Sequence, residues 1–68
     1  MKIYEDFGTK VKQLRKQAGL SQEDLAELIK RDPRTIVAIE AGKRNPTLNT
    51  IYKLAKALKV SVGQLLPF

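Results

Sequence analysis

Cysteine and histidine are both missing from the 68 residues. Without cysteine there is no disulfide, no thiol nucleophile and no thiolate metal site. Without histidine the usual general base is gone, and zinc and other transition metals lose their commonest ligand. No metal and no cofactor are expected. No apolar run is long enough to span a bilayer, and the N-terminus carries no signal-peptide core. Strand-like alternation, internal repeats, low-complexity tracts and a Gly-rich phosphate loop are also lacking. These absences point away from an enzyme and from a membrane protein. They leave one small cytoplasmic domain over residues 1–68, with no small-molecule ligand evident and a core that has to be local.

What the chain does have is positive charge. Thirteen Lys and Arg stand against seven Asp and Glu, a formal net charge of +6. That balance suits a polyanionic partner, nucleic acid first and an anionic membrane second. It also describes a merely well-solvated basic surface. Placement along the chain has to separate the two.

Apolar residues recur at helical spacing in five stretches, which predicts an all-α domain of low contact order. Met1 to Tyr4 read as a lead-in. A first helix is expected over about 5–18, with Phe7, Val11, Leu14 and Ala18 recurring at helical spacing and Gly19 as its stop. Gly8 inside it should cost about a kilocalorie relative to Ala and let the first turn fray. A second helix over about 22–30 turns Leu25, Ala26 and Ile29 inward, with Leu28 beside them. A third over about 33–41 buries Ile36, Ile39 and the stem of Glu40, and Gly42 ends it. Thr47 caps a fourth over about 48–58, with Leu48, Ile51, Leu54, Ala55 and Leu58 on its buried side. Ser61 and Gln64 open a short fifth over about 62–66.

The stretch from Ser21 to Gly42 organises the rest. Ser21 with Asp24 makes a capping-box-like start, and Asp32-Pro33 makes a second helix start. Two short helices joined this tightly form either an ordinary αα-hairpin or a DNA-reading unit. Three placements favour the reader. Ala26 is small enough for a close helix crossing. Gln22 lies in the first turn of the second helix, where free amides can hold a phosphate. Lys43, Arg44 and Asn45, followed by Thr47 at the start of the fourth helix, suit a second phosphate clamp.

Leu14-Arg15, Gly19 to Ala26, Thr35-Ile36, Ile39-Glu40 and Gly42 to Leu48 together resemble the Cro/repressor-type (XRE-like) helix-turn-helix family. The likeness continues through Ile51, Leu54-Ala55, Leu58, Val60-Ser61 and Leu65. It implies a five-helix, lambda-repressor-like fold whose second and third helices form the helix-turn-helix, with the third in the major groove. It also implies an inward ion pair between Arg15 and Glu40. The Arg-Thr-Ile and Gly-Lys-Arg-Asn-Pro runs further resemble controller proteins of restriction–modification systems, small dimers that regulate their own operons.

The chain departs from that pattern in three places. Lys30 stands where the family usually has Gly, so it must accept a left-handed conformation or a different turn, at about a kilocalorie. Arg31 replaces a small apolar residue and is expected to snorkel outward, within reach of a phosphate. The reading face, Pro33, Arg34, Val37 and Ala38 with Ala41 near the backbone, is poor in hydrogen-bonding groups. Arg34 alone there can pair bidentately with guanine, while Val37 and Ala38 suit thymine methyls. The other reading is a blunt face whose affinity comes from phosphates and DNA shape.

Val62, Leu65, Leu66 and Phe68 form an apolar C-terminal set larger than one short helix can hide. Part of it is expected to pack on the fourth helix and part to form a homodimer on a pseudo-palindromic operator. The leading expectation is thus a sequence-specific regulator of transcription bound to double-stranded DNA. The alternative is a protein-interaction module, such as an antitoxin-type partner binder with secondary DNA binding.

Overall fold

A computed structural model describes residues 1–68 and contains five helices and no strand. They are α1 (Lys2–Gln17), α2 (Gln22–Ile29), α3 (Pro33–Glu40), α4 (Leu48–Leu58) and α5 (Val62–Leu65). None is long and apolar enough to cross a membrane.

Local chemistry sets most of the boundaries. Ser21, Asp32, Thr47 and Ser61 each cap a helix by accepting a backbone N–H of its first turn. At Ser21 and Ser61 the box is reciprocal, with Asp24 and Gln64 returning a bond to the cap's own amide. The exits follow one pattern. Leu20, Arg31, Lys43 and Val60 each donate an amide to a carbonyl five residues back, the bond that closes a Schellman turn. Each turn contains one left-handed residue: Gly19 and Gly42 in two of them, Lys30 and Lys59 in the others. Lys30 sits at φ 58°, ψ 49°, the conformation expected where the family has Gly.

Lysine there carries steric strain of about 1–2 kcal/mol, partly offset by its charge at the negative end of the helix. Lys30→Gly should therefore raise stability by about 1 kcal/mol, a melting-temperature gain of roughly 4–8 °C in a domain of this size. Thermal unfolding followed by circular dichroism measures it. An unchanged midpoint would mean that the left-handed turn costs lysine nothing.

The core is one cluster: Phe7 and Val11 of α1, Leu25, Ala26 and Ile29 of α2, Ile36 and Ile39 of α3, Leu54, Ala55 and Leu58 of α4, and Leu65 of α5. Helix α1 crosses α3, α2 packs between α3 and α4, and α5 closes over α4 and α1. The pair α2–α3 is thereby held from both sides, by α1 on one and α4 on the other.

Several expectations need correction. Helix α1 begins at Lys2, so Met1 to Tyr4 are not a lead-in, and an exposed Lys2–Asp6 pair at 3.1 Å helps its first turn. It ends at Gln17; α2, α3 and α5 also stop one residue short of their expected ends, because Lys30, Ala41 and Leu66 are terminal caps. Gly8 does not loosen the helix. It is buried, and a methyl on its Cα would stand 2.9 Å from the Glu40 carbonyl oxygen and closer still to that of Ile39. The missing side chain lets α1 and α3 touch backbone to backbone. Leu28 and Leu48 are 56% and 79% exposed, because the helices turn these positions past the edge of the core.

Candidate nucleic-acid interface

The interface starts from a buried brace beneath α3. The Arg15 Nε donates to Glu40 Oε2 at 2.6 Å and its Nη2 to Glu40 Oε1 at 3.1 Å. Arg15 Nη1 donates to the carbonyl of Leu20 at 2.8 Å. The side chains are only 8% and 4% exposed. Hydrogen bonding to Glu40 outweighs burial and raises the already high Arg15 pKa, so the guanidinium stays charged. The Gln22 side-chain amide donates to Glu40 Oε1 at 3.1 Å. This group therefore fastens the end of α1, the start of α2 and the end of α3 to one carboxylate. No buried side-chain nitrogen or oxygen is left without a partner.

That arrangement changes the part assigned to Gln22. Its side chain is turned inward to Glu40 instead of standing free for a phosphate. The α2 start still offers the first-turn amides beside it. At the second clamp position Lys43, Arg44 and Asn45 are exposed in the loop after α3, next to Thr47, whose hydroxyl accepts the Thr50 amide. Gly42 at φ +73° sits so close to the first turn of α1 that a Cβ would lie 2.7 Å from the Glu5 Cα, so α1 fixes where this loop leaves α3.

The outward face of α3 carries little of the core. Pro33 and Arg34 are exposed, Val37 is 48% exposed and Ala38 is half-buried, while Thr35, Ile36 and Ile39 point inward. Arg31 is half-buried in the preceding turn. The Arg34 side chain is 90% exposed but paired, with Nη2 donating to Asp32 Oδ2 at 2.9 Å. Asp32 was expected only as a cap. The hydrogen bonds from Arg34 hold its carboxyl well below the usual carboxylate range, at about 2, so it is ionised throughout the neutral range. The clue available in the sequence was the Asp-Pro-Arg spacing, which puts a cap carboxylate two residues before a long cation. The C-terminal set divides. Leu65 is wholly in the core, which removes it from the expected dimer surface; Val62 and Leu66 are half-buried against the core, and Phe68 is 84% exposed.

A helix-turn-helix family model matches residues 11–65, from the middle of α1 to the end of α5. The chain belongs to the helix-turn-helix family. This helix-turn-helix chain is 42% identical to the control protein C.SmaI of Serratia marcescens over 66 residues, 97% of its own length and 79% of that protein's. Over 60 residues it is 35% identical to an HTH-type transcriptional regulator of Archaeoglobus fulgidus, covering 88% of this chain and 86% of the other. Its structure matches that of the restriction-modification controller protein C.AhdI from Aeromonas hydrophila with a TM-score of 0.94, at 38% identity over 97% of this chain and 100% of that one. The helix-turn-helix of α2 and α3, and a role in DNA-binding transcription regulation, follow from this membership.

Proposed function

We propose that this chain is a controller-type transcription regulator that binds a pseudo-palindromic DNA operator as a cytoplasmic homodimer, with α3 in the major groove. The observation that carries the reading is the division of α3. Its inner residues anchor to α1 and α2, whereas Pro33, Arg34 and Val37 are presented to solvent. Arg34 reads guanine through O6 and N7, and Val37 and Ala38 pack on thymine methyls. Arg31, Lys43, Arg44 and Asn45, with the amides at the Gln22 and Thr47 helix starts, hold the phosphates on either side. The exposed Phe68, with Val62 and Leu66, supplies the apolar contact between protomers, which sets two copies of α3 about one DNA turn apart. The name of the similar C.AhdI, a restriction-modification controller, supports this choice among regulator types.

Selection of bound duplexes from a random pool tests the proposal. Two half-sites about 10 base pairs apart are expected. Arg34→Ala should then cost about 1–3 kcal/mol on the selected site and flatten the preference at one base pair, with non-specific binding largely kept. An unchanged preference would remove Arg34 as a base reader. A single unpaired half-site would remove the dimer.

A further inference from the structure

The carboxylate of Asp32 makes more contacts than a helix cap needs. Its Oδ1 accepts the Arg34 amide at 2.8 Å, which is the cap itself. The same oxygen accepts Arg34 Nε at 3.1 Å, and Oδ2 accepts Nη2 at 2.9 Å. Serine or asparagine would cap α3 about as well but could not make this paired ionic grip. The grip takes the side edge of the guanidinium, formed by Nε and Nη2. The end edge, formed by Nη1 and the second proton of Nη2, is not bonded within the chain. Two parallel donors on that edge match O6 and N7 of guanine.

We infer that Asp32 is a positioning residue for base recognition, holding the Arg34 guanidinium by one edge and presenting the opposite edge to a guanine. The inference rests on Arg34 being the base reader proposed above. Two effects follow. Holding the side chain beforehand removes part of the ordering cost that a free arginine bears on binding. It also keeps the guanidinium from swinging to a phosphate. Asp32 therefore raises discrimination without raising affinity for DNA in general. The pair does little for stability, since its side chains are 90% and 50% exposed, so its consequence lies in where the guanidinium is held.

Asp32→Asn and Asp32→Ser in the full chain keep a capping oxygen and remove the grip. Each is measured on the duplex selected above, on the same duplex with the contacted G·C pair changed to A·T, and on an unrelated duplex. Thermal unfolding is followed in parallel. Discrimination between the first two duplexes should fall about three- to tenfold. Binding to the unrelated duplex should hold or strengthen, and the melting temperature should shift by no more than a few degrees. In an Arg34→Ala background Asp32→Asn should cause no further loss of discrimination. If Arg34→Ala flattens the preference while Asp32→Asn leaves it at the wild-type value, the inference is overturned and Arg34 stands as the reader. If Arg34→Ala itself changes nothing, the base-reader reading fails and the inference goes with it. A loss shared equally by all three duplexes and tracking a lower melting temperature would reduce Asp32 to a cap.

Discussion

Glu40→Ala should unfold most of this domain near physiological temperature while leaving an intact, charged Arg15 as the cause. The mutation strands the Arg15 guanidinium in a site where it is 8% exposed and bonded at 2.6 Å to the carboxylate that is lost. It also leaves the Gln22 amide without its 3.1 Å acceptor. Breaking one partner out of a buried pair typically costs about 3–5 kcal/mol, because the remaining charge is neither solvated nor compensated. Small domains of this length have little stability to spare. A drop of about 3 kcal/mol corresponds to roughly 12–24 °C in melting temperature. Thermal and urea unfolding read it directly. Arg15→Met with Glu40→Leu supplies the control: replacing both charges by apolar groups should recover much of the loss, because no ion is left stranded. If Glu40→Ala melted within a few degrees of wild type, the brace would be held by other contacts.

Gly8→Ala carries the second large effect, and its sign runs against helix propensity. In an isolated helix the change would gain about 1 kcal/mol. Here the new methyl would meet the backbone carbonyls of Ile39 and Glu40, the latter at 2.9 Å, and backbone cannot rotate aside as a side chain can. Helices α1 and α3 have to separate, which loosens Phe7 and Val11 against Ile36 and Ile39 and lengthens the Arg15–Glu40 bonds. Overpacking of this kind costs about 1–3 kcal/mol and more when backbone must shift, so a net loss of about 3 kcal/mol is expected. Urea midpoints with an unchanged slope would report it as stability alone. Gly19→Ala, beyond the other end of α1, is the comparison, since nothing lies within 4 Å of a Cβ there and only its φ of +73° resists. A larger loss at Gly19 than at Gly8 would contradict the close-crossing account.

The two glycines show which parts of the molecule were legible in its sequence. Features set by neighbours along the chain could be read: the four side-chain caps and the stops at Gly19 and Gly42, whereas the left-handed Lys30 came through the family's usual Gly, as one of two alternatives. Helical periodicity found every apolar core residue of α2 and α3, since both helices are short and sided, but it missed the buried Thr35. What periodicity could not say is how far a face turns. Leu28 and Leu48 have the right spacing but lie beyond the edge that a neighbouring helix covers. The role of Gly8 depends on a carbonyl more than thirty residues away, and no local rule reports that. At the interface, the Arg15–Glu40 pair came through the family pattern, because nothing in either residue's own neighbourhood points to the other. The inward turn of Gln22 and the hold of Asp32 on Arg34 are choices of side-chain partner, which a list of polar residues leaves open.

The division of α3 between an inner and an outer set has a consequence for how such a protein can change. Ile36, Ile39 and Glu40 carry the packing and the brace, whereas Pro33, Arg34 and Val37 touch almost nothing that holds the fold together. If α3 enters the groove as proposed, substitutions on the outer set would answer to the DNA and hardly at all to stability. On that proposal, new operator preferences would be reachable by single steps from a folded ancestor, without compensating mutations elsewhere. The inner set has no such freedom, because each of its members answers to another helix.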